Sequence, residues 1–162
     1  MLTNAEFDTT GLYRYSLGRC WHPPGPEIAF VMLNPSTADA TRDDPTLRAC
    51  IQFARRWEYG SLRVVNLFGY RTPRPAELKT VDDPVGREND DYLIEAVEKA
   101  QRVVLAWGNG GDLRERDRTV LTLLKTHHSK LSYLQLNRSG QPRHPLYVRR
   151  DKPLCAYPKG TH

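Results

Sequence analysis

Cysteine is scarce in this chain: Cys20, Cys50 and Cys155 are all that its 162 residues contain. They are far apart and odd in number. They form neither a disulfide framework nor a metal-spaced pair, and they point to a reduced, cytoplasmic protein. No apolar run approaches the length needed to cross a bilayer. The opening residues MLTNAEFDTT show no basic region followed by an apolar core, which argues against a secretory leader. HExxH and CxxC are both absent, so zinc has no support and no metal or other cofactor is expected. GxxxxGK(S/T) is absent, which excludes a phosphate loop for nucleoside triphosphates. The glycines of WGNGGD at 107–112 make a poor dinucleotide fingerprint, because the third glycine and a ribose-binding acid are missing. Ser36 does not sit in a GxSxG elbow. There is no internal repeat and no low-complexity segment.

What is present is ordinary globular composition. Hydrophobic residues make up 39% and charged residues 27%, enough for one domain with a real core spanning 1–162. The formal net charge of +5 is compatible with a polyanionic partner but does not demand one. Basic residues gather in 138–159 as Arg138, Arg143, Arg149, Arg150, Lys152 and Lys159. A solvated terminal segment explains that cluster equally well.

The organising stretch is Ile28–Asp39, IAFVMLNPSTAD. Its apolar run has the length of a buried strand, and Asn34-Pro35-Ser36-Thr37 stops it. Upstream, residues 12–21 read as an N-terminal edge strand, followed by a proline-rich turn up to residue 27. Downstream, Asp44-Pro45 starts a helix over about 46–57, since aspartate caps and proline fits the first turn. A second buried strand runs over 62–68, a short helical turn opens at Pro75–Leu78, and a helix covers about 91–100. A third strand at 103–107 precedes a helix over about 112–126, and a fourth strand spans 131–136. Residues 148–162 read as an irregular basic tail. Alternating strands and helices imply an α/β fold. The expected form is a three-layer α/β/α sandwich whose mostly parallel sheet has about four strands plus the N-terminal edge strand.

In such a sheet the C-terminal strand ends lie on one side, where open α/β folds build their sites. NPST, the end of NLF with GYR, WGNGG and the HPLY region all follow strands. The residues they carry are rich in Asn, His, Arg and Trp and poor in acids. Asn34 and Asn66 offer donors and acceptors for a base or amide edge, though strand-end capping suits them as well. Phe68, Tyr70 or Trp107 can stack on a planar ring, although core packing is the commoner task of such a tryptophan. His144 suits electrostatic stabilisation or acid catalysis. Arg71, Arg138 and Arg143 suit phosphate. Asn109 lies among glycines that permit close backbone approach to a ligand.

The pattern FVMLNPSTAD, DPT, VVNLFGYR, DPVG.END, AWG and PRHPLY resembles a bacterial and phage family of unknown function over nearly the whole chain. A more distant resemblance is to the uracil-DNA glycosylase superfamily. Leu33-Asn34-Pro35-Ser36 is similar to the Asn-Pro-Gly turn of its mismatch-specific branch, with Ser36 in place of glycine. Asn66-Leu67-Phe68 with Arg71-Thr72 is similar to the motif that ends the second strand. Trp107-Gly108 resembles the end of the third strand. His144-Pro145-Leu146 resembles a shortened form of the last loop. That resemblance implies Asn34 and His144 as catalytic residues, the one positioning water and the other stabilising the leaving base. It implies Asn66 as the reader of the base edge, with Phe68, Arg71, Trp107 and Asn109 around the substrate. Ser36, Thr37, Arg138, Arg143 and the wedge Leu146 would face nucleic acid. The first motif lacks the water-activating carboxylate of the faster branch.

Three functions stand as expectations. The chain is a base N-glycosylase acting on DNA or a nucleotide, a nucleic-acid-binding module without catalysis, or an enzyme acting on a free nucleotide or small metabolite. Function lives in the site, and a shared fold does not choose among them.

Overall fold

The computed structural model describes residues 1–158. Its centre is a seven-stranded mixed sheet in the order β1-β2-β4-β3-β5-β6-β7. The strands are β1 (Leu2–Phe7), β2 (Arg14–Cys20), β3 (Glu27–Met32), β4 (Ser61–Asn66), β5 (Arg102–Leu105), β6 (Leu131–Tyr133) and β7 (Cys155–Ala156). β3 pairs in parallel with β4 and β5, and β5 with β6. β1, β2 and β7 run antiparallel to their neighbours.

β3 shows why this arrangement holds. It is buried on both sides, and its alternate residues feed two separate cores. Ile28, Phe30 and Met32 face the first core, which takes Leu47, Cys50, Phe53 and Ala54 from helix α1 (Pro45–Arg56). Ala29 and Val31 face the second core. There Leu93, Ala96 and Val97 of α2 (Asn89–Lys99) pack beside Val120 of α3 (Arg116–Leu123). Helices therefore cover both faces, in three layers. α1 begins where the sequence marks it: the Asp44 side chain accepts from the Leu47 N–H at 2.8 Å and Pro45 occupies the first turn. Among the described residues, no helix is long and apolar enough to cross a membrane.

The sheet is larger than the sequence patterning suggests, and both additions come from the chain ends. Residues 12–21 contain a strand, but β2 lies inside the sheet and is buried along nearly its whole length. The edge is β1, whose LTNAEF is mostly exposed and so carries little alternation to read. At the other end, the tail expected to be irregular contributes β7, which pairs with β6 through Ser132 and Tyr133. Lys159 and the rest of 159–162 lie outside the described residues.

The long third helix expected over 112–126 is divided. A 3-10 segment spans Asn109–Glu115, α3 follows, and a further 3-10 segment covers Lys125–Lys130. Arg114 and Glu115 both sit at φ 54°, a left-handed turn that no α-helix continues through. The second and third strands stop short of their expected ends, at Asn66 and Leu105. The Asn89 amide nitrogen takes the carbonyls of Asn66 and Leu67 at 2.9 and 3.2 Å. The chain there remains tied to β3 through the Leu67 and Phe68 N–H groups.

Candidate functional site

The loops after β3 and β4 are laced together. The Pro35 carbonyl accepts from the Thr72 N–H at 3.0 Å and from the Asn34 side-chain nitrogen at 3.0 Å. That same nitrogen also donates to the Thr72 carbonyl at 2.9 Å. Asn34 therefore spends both N–H groups on the scaffold. Its Oδ1 takes no protein donor and remains an acceptor.

Beneath this lacing lies a cavity of about 240 Å³. Asn34, Ser36, Asn66, Trp107 and His144, all anticipated from the sequence, line it together. So do Arg14, Asp44, Thr46 and Thr72, which sequence reasoning did not assign to a site. Leu17, Met32, Leu33, Leu47 and Val64 supply apolar wall. This is the mix of apolar lining and few convergent polar groups that small-molecule sites use.

Asn66 is the most informative residue in it. It ends β4, is 0% exposed, and neither its Oδ1 nor its Nδ2 has a hydrogen-bond partner. Its backbone carbonyl accepts from the Asn89 side chain. An orphaned buried amide costs about 1–3 kcal/mol, so its presence calls for an explanation. The strand-capping role is excluded for this side chain, since it bonds to no backbone group.

His144 closes one side of the cavity. Its Nδ1 accepts from the Leu146 N–H at 3.1 Å at the start of the 3-10 turn Pro145–Tyr147. The proton of the neutral ring must then reside on Nε2, leaving one N–H donor. Burial pulls the imidazole pKa below its ordinary 6.5, against the opposing pull of the Asp44 charge. The ring is therefore neutral at pH 7.

Trp107 takes the packing role, and its place beside the cavity leaves the stacking role open. It is packed in the second core at 2% exposure and also borders the cavity. Its indole N–H donates to Gln141 Oε1 at 2.8 Å, and Gln141 in turn donates to Asp117 at 3.0 Å. Gly111 must lack a side chain here, since a Cβ would fall 2.2 Å from Trp107 Cδ1.

The remaining sequence-predicted residues are elsewhere. Phe68 is wholly buried in the second core. Arg71 and Thr37 line a shallower neighbouring depression, which shares only Ser36 and the Thr72-Pro73 segment with the main cavity. The Arg71 guanidinium lies 4.8 Å over the Phe7 ring. Asn109 ties two loops, accepting from Asn137 at 3.0 Å and Ser139 at 2.6 Å. Arg143 donates to Asn137 Oδ1 at 2.7 Å. Arg138 is exposed, and Leu146 is 38% exposed on the 3-10 turn beside His144. Among the described residues, no group of His, Cys, Asp and Glu side chains is placed to hold a metal ion.

Arg14 could have been found. It is the first residue of β2, which runs antiparallel to β4. Its N-terminal end therefore reaches the same side of the sheet as the C-terminal ends of the parallel strands, and its N–H donates to the Gly69 carbonyl at 3.0 Å. The missing signal was strand direction. Asp44 was read only as a helix cap, yet α1 starts on that same side.

No curated protein and no solved structure matches this chain. A family model does match, over residues 14–146, a span that contains every residue lining the cavity. Its description is a protein of unknown function (DUF1643), and the chain belongs to that family.

Proposed function

We propose that the chain binds a nucleobase, in nucleic acid or in a nucleotide, and hydrolyses its N-glycosidic bond. The observation that carries this reading is the buried Asn66 amide, without a protein partner, bordering a cavity that Asn34 and His144 also line. One donor and one acceptor side by side match the lactam edge of a base. A ligand reaching that edge supplies the hydrogen bonds that the buried amide lacks within the protein.

In this mechanism the base leaves the stack and enters the cavity. The bond to the anomeric carbon breaks with its electron pair going to the base. Asn34 Oδ1 holds a water, whose oxygen then bonds to that carbon while its proton passes to the departing base anion. The His144 Nε2–H stabilises the negative charge growing on the base, an electrostatic task often worth several kcal/mol. Leu146, exposed beside His144, fills the space vacated in a duplex. Arg138 and Arg143 contact phosphates. The parallel order β4-β3-β5-β6 changes direction at β3, the topological position where open α/β sheets place ligands. Kinship with the uracil-DNA glycosylase fold rests on the Asn34-Pro35, Asn66-Leu67, Trp107-Gly108 and His144-Pro145 motifs. The free thiols are in keeping with a cytoplasmic setting.

A second reading, an enzyme on a free nucleotide or small metabolite, is favoured by one observation. Arg71 and Arg143 are held in protein contacts away from the cavity and do not form a groove around it.

The deciding experiment exposes labelled oligonucleotides carrying uracil, hypoxanthine, alkylated or mismatched bases to the protein, with hot alkali to reveal abasic sites. Strand breaks that vanish in both Asn34→Ala and His144→Ala establish the glycosylase and its site. Breaks that persist in both variants reject the site. A salt-sensitive gel shift without breaks identifies a binding module.

A further inference from the structure

Three arginines are buried among the described residues, and two of them are matched. Arg19 donates from Nε and Nη2 to Asp43 at 3.0 and 2.9 Å and from Nη1 to the Gly18 carbonyl at 2.9 Å. Arg116 donates from Nε to the Leu67 carbonyl at 2.7 Å and pairs with Asp90. Arg14 is different. At 3% exposure it makes one side-chain hydrogen bond, from Nη1 to the Ala38 carbonyl at 2.8 Å. Its Nε is buried without a partner, and its Nη2 makes no hydrogen bond. None of the ion pairs among the described residues includes it.

A buried cation without a counter-ion is expensive, and chains normally remove it or pair it. Burial lowers the Arg14 pKa to about 10, with Asp44 and Asp39 favouring the charged form and Arg71 and Arg19 opposing it. It is still a cation at pH 7. The unpaired Nε and Nη2 form one edge of the guanidinium fork, the geometry that takes two oxygens of a phosphate at once. The hydroxyls of Ser36 and Thr46 line the same cavity and can donate to further oxygens. Thr46 stands in the first turn of α1, at the positive end of that helix. Asp44 also lines the cavity, so the anion is confined to the Arg14 side.

We propose that Arg14 is the base of a phosphate subsite inside the cavity, and that the ligand is a phosphate ester whose nucleobase edge meets Asn66. This rests on the reading of Asn66 as the base-edge group and does not depend on bond cleavage. The phosphate belongs either to a free nucleotide or to a nucleic-acid strand.

Calorimetric titration of the full chain with uridine, uridine 5′-monophosphate, guanosine, guanosine 5′-monophosphate and a uridylyl dinucleotide tests the subsite. A phosphate-bearing probe should bind about tenfold or more tightly than its parent nucleoside. Arg14→Gln should erase that advantage, and Arg14→Lys should keep part of it. Asn66→Leu should weaken every probe. A gain with the monophosphate identifies a free nucleotide, and a gain with the dinucleotide alone identifies a strand phosphate. Equal binding of nucleoside and phosphate ester, an advantage retained in Arg14→Gln, or no binding of any probe overturns the subsite. Should Arg14→Gln not fold, Arg14→Lys alone decides, because loss of fork geometry must still reduce the advantage. Arg14-dependent binding without cleavage of any substrate would retain the subsite and discard the hydrolase. Cleavage without Arg14-dependent binding would do the reverse.

Discussion

At the residue scale, Asn66 and His144 both carry a cost in stability that a measurement can read. Replacing Asn66 by leucine removes two orphaned polar atoms and supplies apolar volume to a wholly buried position. Asn66→Leu should raise stability by about 1–3 kcal/mol in urea unfolding and weaken ligand binding. A destabilised variant would mean that the amide is satisfied in solution. His144 gives a pH signature. Its folded pKa lies below the ordinary 6.5 because the ring is buried, so below about pH 6.5 the unfolded chain binds the proton first. Stability must therefore fall as pH drops through 6.5 toward the folded pKa. His144→Gln should flatten the dependence of melting temperature on pH in that window. The polar residues that end strands, Asn34, Asn66 and Trp107, were legible in the sequence because each follows an apolar run. Arg14 was not, because alternation in a strand does not tell which way it runs. Phe68 and Asn109 follow strands as well, yet one turns into the core and the other braces two loops. Proximity to a strand end brings a residue near the site without setting where its side chain points.

At the element scale, α1 connects folding to the cavity through one carboxylate. Asp44 caps the helix through Oδ1 and also lines the cavity. Asp44→Ala should cost about 1 kcal/mol of stability through loss of the cap. Asp44→Asn keeps the cap and removes only the charge. An equal change in ligand binding in both variants, with the stability loss confined to Asp44→Ala in thermal melts, would separate the helix cap from the carboxylate's place in the cavity. The parallel strands β3 to β6 were readable from length and apolar content, since strands buried on both faces are continuous runs. β1 was not, because an exposed edge strand needs no apolar face. β7 was not, because its two residues are too few to show a period. The break at Leu113–Glu115 leaves the apolar spacing of Val120, Leu121 and Leu124 unchanged, so one long helix was the natural reading.

At the scale of the whole molecule, the salt dependence of binding tells one class of partner from another. With a net charge of +5, the chain has the sign to attract polyanions, yet its cavity holds a single unpaired buried guanidinium. Binding of a long oligonucleotide should weaken steeply between 50 and 200 mM salt, by about tenfold or more, if several exposed cations contact phosphates. Binding of a mononucleotide to Arg14 alone should change far less, and fluorescence anisotropy across a salt series separates the two. The two ends of the chain close opposite edges of the sheet, β1 covering β2 and β7 covering β6. The family match, at residues 14–146, excludes both covers. A fragment cut to those limits would keep every cavity residue and still be a poor reagent. It would present the unpaired backbone of β2, an interior strand by composition, to any neighbouring molecule. Such a fragment should form aggregates in size-exclusion chromatography where the longer chain does not, so the boundaries that suffice to recognise this family are too narrow to isolate a working member of it.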